Sequence, residues 1–190
     1  DNPSGKYDRD GFGNYQAFGD LQLKLRGASE ARDYLRRLDL ETALHTTSWR
    51  GPDGTEYVQE AFASHPDQVI VLRTAAAGPS RLSGSVRLAG EHDELETALP
   101  ASGALPPGLR FEGALSNGLR YAAEARAAGE GCALEPRGNL LEFSGCSALT
   151  VYLAAATDYA LDAEQGFRGE LPGARVERAL SGAPSSGPGA

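Results

Sequence analysis

Apolar residues recur at every second position in run after run of this chain. Leu21, Leu23 and Leu25 alternate with Gln22, Lys24 and Arg26. Leu82, Val86 and Leu88 alternate with Arg81, Ser83, Ser85 and Arg87, and Leu109, Phe111 and Leu115 with Arg110 and Glu112. Successive side chains of a strand point to opposite faces, so this period belongs to strands with one dry and one wet face. Ile70–Leu72 and, apart from Thr150, Leu149–Leu153 are continuously apolar instead, as expected for strands covered on both faces. The pattern predicts an all-β antiparallel sandwich.

Turn chemistry falls between the runs. Gly51-Pro52-Asp53-Gly54 should close a hairpin, as should Ser116-Asn117-Gly118 and Pro136-Arg137-Gly138-Asn139. His65-Pro66-Asp67 ends another strand, because proline cannot donate a ladder hydrogen bond. Strands are expected near 17–26, 43–50, 56–64, 68–75, 81–89, 108–115, 119–127, 139–144 and 148–156. Ser29–Leu40 is open to two readings: a capped helix, or an extended segment over Tyr34–Leu40. Gly90–Gly108 reads as a long loop. The expected organisation is a flexible segment over 1–13, a sandwich over 14–160, the start of a linker over 161–180, and a disordered Ser/Gly/Pro tail over 181–190.

The net charge of −8, from 18 basic and 26 acidic residues, argues against nucleic-acid partners and anionic membranes. The longest apolar stretch, near Ala148–Ala156, is far short of the roughly 20 residues a membrane span requires. The chain contains no methionine, so Asp1 is not expected to be a natural start; a removed leader and a fragment both account for it. Cys132 and Cys146 flank an expected hairpin. A disulfide, suited to an extracellular or periplasmic setting, and two separate half-buried thiols both fit that spacing.

Candidate chemistry is sparse. His45, His65 and His92 are too scattered for a metal site, and no cofactor is implied. Asp20, Asp39 and Asp67 suit hydrogen bonding at turns and strand ends. Tyr15, Phe18, Trp49 and Tyr57 are candidates for stacking on sugars or for contacts between domains, with core packing as the plainer role.

Four blocks carry a resemblance. Tyr15–Leu21 is similar to "YQPLGDL" of glycoside hydrolase family 95, the α-L-fucosidases, and Tyr34–Ala43 to its "YRRELDLDTA". Glu60–Val71 resembles "REVFASHPDQVIVVRL", and Ser147–Tyr159 resembles "TLLLAAATDY". The resemblance implies the family's N-terminal super-sandwich, incomplete here because a "GNGRLGAM"-like block of opening strands is missing. It also implies a secreted parent that meets fucosylated glycans through an (α/α)6 catalytic barrel. The family's catalytic carboxylate lies in that barrel, so the resemblance places no catalytic residue in this chain. The expected role is structural support of the barrel, and the competing reading is a freestanding carbohydrate-binding or adhesion module.

Overall fold

The computed structural model describes residues 17–27, 30–92 and 94–182. Two antiparallel sheets face each other. The larger contains β2 (Arg32–Asp39), β3 (Leu44–Arg50), β4 (Glu56–Ser64), β5 (Val69–Ala77), β12 (Ala148–Thr157), β9 (Arg120–Glu130), β8 (Gly108–Ala114) and β7 (Thr97–Leu99), in that order. The smaller contains β1 (Gly19–Leu25), β6 (Leu82–Gly90), β11 (Leu140–Cys146) and β10 (Leu134–Arg137). A nine-residue helix, α1 (Pro172–Leu180), follows β12.

Register converts the alternating pattern into a core. Leu23 pairs with Val86 and Val86 with Leu141, so three apolar residues form a row across the smaller sheet. Val151 lies between Ala127 and Leu72 in the larger one. Phe111, Leu82, Leu109, Leu141 and Leu149 are the largest side chains fully enclosed between the sheets. Each contributes about 1.5–3 kcal/mol by leaving water. Gly84 sits opposite Leu25 and Phe143, and a Cβ there would run into the Lys24 carbonyl. Close approach of neighbouring strands, not backbone flexibility, therefore requires glycine at this point.

β9 and β12 lie side by side in the middle of the larger sheet and are buried on both faces. Alanine is a poor strand former, yet five alanines of β9 are buried. Their small side chains admit the smaller sheet on one side and α1 on the other. On that second side Val176 and Leu180 of the helix join Val69, Val71, Ala122, Tyr152 and Ala154 in a separate apolar cluster.

The expected strands all form, and Tyr34–Asp39 is extended as part of β2. Four features differ from expectation. Pro136 and Arg137, read as turn residues, lie in β10, a strand that was not expected. Residues 161–180, read as the start of a linker, contain α1, whose Val176 and Leu180 are fully buried against the sheet. The Gly90–Gly108 loop contains the three-residue β7. Ile70, expected to be covered on both sides, is 49% exposed, because only its neighbours Val69 and Val71 face the helix-side cluster. The tail residues 183–190 and the segment 1–13 lie outside the described residues.

Candidate functional site

A concavity lies on the outer face of the larger sheet, away from the smaller one. It is a groove of about 930 Å³. Val69, Val71, Tyr152 and Ala154 line it from the sheet, Phe62 of β4 from one side, and Val176 of α1 from the other. The turn joining β4 to β5 closes one end. There Gln68 takes a left-handed φ of 57° and donates from Nε2 to the His65 carbonyl at 2.6 Å, while the Ser64 hydroxyl donates to Asp67. Burial raises the Tyr152 phenol above its ordinary range, against the opposing effect of the nearby Arg73 charge.

An ion network fixes the helix that forms one wall. Glu124 is 1% exposed and accepts from Arg126 Nε at 2.6 Å. Arg126 also donates to the Pro106 carbonyl at 3.0 Å. Arg110 spans Glu124 at 3.4 Å and Glu177 of α1 at 2.9 Å. Arg175 donates to the Thr157 carbonyl at 2.9 Å, and Arg178 pairs with Glu170. A buried carboxylate needs such partners, since leaving one charge alone costs several kcal/mol.

Of the groove's two carboxylates, Asp67 is committed to local structure, accepting from Ser64. Glu60 stands opposite Arg73 in the β4–β5 register, where the Arg73 guanidinium pairs with Glu130 at 3.1 Å. Asp39 accepts the Glu41 and Thr42 N–H groups at 3.0 and 3.2 Å, and those two bonds hold its carboxyl below the ordinary range. Asp20 lies in β1 opposite Ala89. A chemically distinct cluster joins β9 to the loop after β6. The Tyr121 hydroxyl donates to Glu94 at 2.5 Å, and the His92 N–H donates at 2.8 Å. Burial pushes the Glu94 carboxyl up, but these donors outweigh it and leave the carboxyl low. Among the described residues no group of three or more His, Cys, Asp or Glu is placed to hold a metal ion.

The candidate aromatics separate. Trp49 and Tyr57 stack face to face at 5.2 Å, both half-buried, with Tyr57 also packed against the main core. Phe18 packs on Phe111 and edge-on to Tyr121. Tyr15 lies outside the described residues. Cys132 and Cys146 form a disulfide with Cα atoms 4.9 Å apart. Sequence reading missed the groove, because its residues come from β4, β5, β12 and α1. The Val176/Leu180 spacing after Pro172 was the available clue to its helical wall.

Fold and site together define a β-sandwich domain with a groove on one sheet face. The chain belongs to the family described as "Glycosyl hydrolase family 65, N-terminal domain", whose profile matches residues 2–162. It is 30% identical over 186 residues to "Probable alpha-fucosidase A" of Aspergillus oryzae, covering 93% of this chain and 25% of that protein. It is 38% identical over 87 residues to "Alpha-L-fucosidase 2" of Arabidopsis thaliana, covering 44% of this chain and 10% of that one. The chain thus spans a quarter or less of the length of these relatives.

Proposed function

We propose that the chain is the non-catalytic N-terminal sandwich of a secreted α-L-fucosidase-like hydrolase of the family 95 type. The four sequence blocks support the family 95 type, and the names of both relatives support the fucosidase part of the reading. In this reading the groove on the larger sheet seats a helical catalytic domain, and fucosylated glycans are met through that domain. The observation that carries the role is the groove itself. It has a largely apolar floor, its Asp67 carboxylate is engaged by Ser64, and Ser181 and Gly182 just past α1 lie on its rim. The Cys132–Cys146 bond supports an extracellular or periplasmic setting.

The test is to assay the purified chain on an aryl α-L-fucoside, alone and mixed with a separately produced helical catalytic domain. The chain alone should not exceed the no-protein rate. Mixing should stabilise the catalytic domain, and Phe62→Asp should weaken that effect. Turnover by the chain alone, abolished by replacing Asp20 or Asp67, would overturn the non-catalytic role. The stacked Trp49–Tyr57 pair keeps the carbohydrate-binding reading in play. Titration with a fucosylated oligosaccharide should give no heat; heat lost in Trp49→Ala would favour that reading instead.

A further inference from the structure

β4 and β5, which line the groove beside α1, are interior strands paired on both sides. They have no free ladder groups to offer, so a segment laid over them must satisfy its own N–H and C=O groups. An α-helix does that within itself. The width suits one helix. α1 packs over β12 and β9. Neighbouring helices lie about 8–10 Å apart, and strands about 4.8 Å apart. A second helix beside α1 therefore falls two strands along, over β5 and β4. The length suits it too. The lining residues Val69 to Arg73 of β5 span about 14 Å, or roughly nine helical residues. A cylinder of that length and about 10 Å diameter fills roughly 1,100 Å³, close to the groove's 930 Å³.

The two walls set the chemistry of the occupant. Phe62 is 41% exposed, and Val58 on the same face of β4 is 39% exposed, so this side calls for an apolar stripe. Arg175, Arg178 and Ala179 of α1 line the opposite wall. Arg178 is paired with Glu170. Arg175 donates to a neutral acceptor, the Thr157 carbonyl, and forms no salt bridge among the described residues. We propose that the groove takes one amphipathic α-helix lying alongside α1, its apolar stripe on Phe62, Val69 and Val71 and a carboxylate facing Arg175. This rests on the reading that the groove seats a helical catalytic domain, and it names the kind of element that enters. Two helices then cover the four strands from β9 to β4 as one layer.

The test uses two synthetic helices with the same leucine stripe, one flanked by glutamates and the other by lysines. Both are cross-linked between side chains, because isolated helices this short are marginal in water. At low salt the glutamate helix should bind the chain about tenfold more tightly than the lysine helix. Arg175→Glu should reverse that preference, and Phe62→Asp should abolish binding of both. Circular dichroism should stay unchanged in each variant, since both side chains are exposed. Failure of both helices to bind would overturn the proposal. So would equal affinities, or a preference that Arg175→Glu leaves in place. Sedimentation as a dimer that Phe62→Asp breaks would assign the groove to a second copy and overturn it too. Stabilisation of a separately produced catalytic domain on mixing, without binding of either helix, would exclude the helix and leave the domain reading standing. Helix binding without that stabilisation would do the reverse.

Discussion

The Asp53 carboxylate accepts from the Ser80 hydroxyl at 2.6 Å, the Thr55 hydroxyl at 2.8 Å and the Thr55 N–H at 3.0 Å. Thr55 Oγ1 in turn accepts from the Ser80 N–H at 3.0 Å. These contacts tie the β3–β4 hairpin to the connection between β5 and β6. The Ser80 hydroxyl, then Thr55, draw the Asp53 carboxyl down to about 2. A depressed folded-state pKa means that the stabilisation is complete above the unfolded value, about 4, and is lost as pH falls toward about 2. Urea unfolding should therefore show Asp53→Asn less stable than wild type at neutral pH, with the difference shrinking through that acid window. A difference that stays constant with pH would mean the charge plays no part. The turn was legible from Gly51-Pro52-Asp53-Gly54, and Gly54 does take a left-handed φ of 84° there. Ser80 was not legible, because a hydroxyl 27 residues away becomes a partner only after the sheet has formed. Trp49 and Phe18 tell the same story: their residue types suggested stacking, but only packing selected Tyr57 for one and Phe111 and Tyr121 for the other.

Strands were readable because period two survives wherever one face is buried, as in β6 with Leu82, Val86 and Leu88 at 3% exposure or less. The short β7 lacks the length for a periodic signal. α1 was obscured by its opening Pro172-Gly173, which reads as a turn, and by having only nine residues. Isolated helices of that length are marginal in water, so α1 owes its existence to packing. Leu180 is 0% exposed beneath it. Leu180→Ala should destabilise the domain by about 2–4 kcal/mol in chemical denaturation, whereas Ala174→Gln on the exposed side should stay within about 0.5 kcal/mol. An unchanged denaturation slope would mark the helix as part of one cooperative unit. If Leu180→Ala leaves the midpoint where it was, α1 is not docked on the sheet in solution, and the groove loses a wall.

At the scale of the molecule, the main link between the sheets is the shared core, and one covalent bond adds to it. Cys132 follows the end of β9 in the larger sheet, and Cys146 closes β11 in the smaller one. The bond therefore staples sheet to sheet. Gly129 beside it is spaced for the staple: a Cβ there would lie 2.8 Å from Leu134 Cδ1 and 3.2 Å from the Cys146 sulfur. The sequence left the bond open, because strand register decides whether two thiols meet. The separation of 14 residues closes a short loop, for which restriction of the unfolded chain is worth about 3 kcal/mol. In a domain of this size that corresponds to about 6–12 °C in Tm. The double variant Cys132→Ser/Cys146→Ser should melt lower by that amount, and reductant should shift the wild type to the same Tm while leaving the variant unmoved. The m-value should fall with the bond intact, since a cross-linked unfolded chain exposes less surface. A wild type indifferent to reductant would mean that the core alone holds the sheets together. A loss well beyond the chain-entropy figure would mean that Cys146, fully buried against the core, also anchors the β10–β11 hairpin, whose Leu134 packs on the same cluster. Hydrogen exchange separates these cases: selective loss of protection in β10 and β11 on reduction identifies a local anchor, and uniform loss across both sheets identifies a global staple.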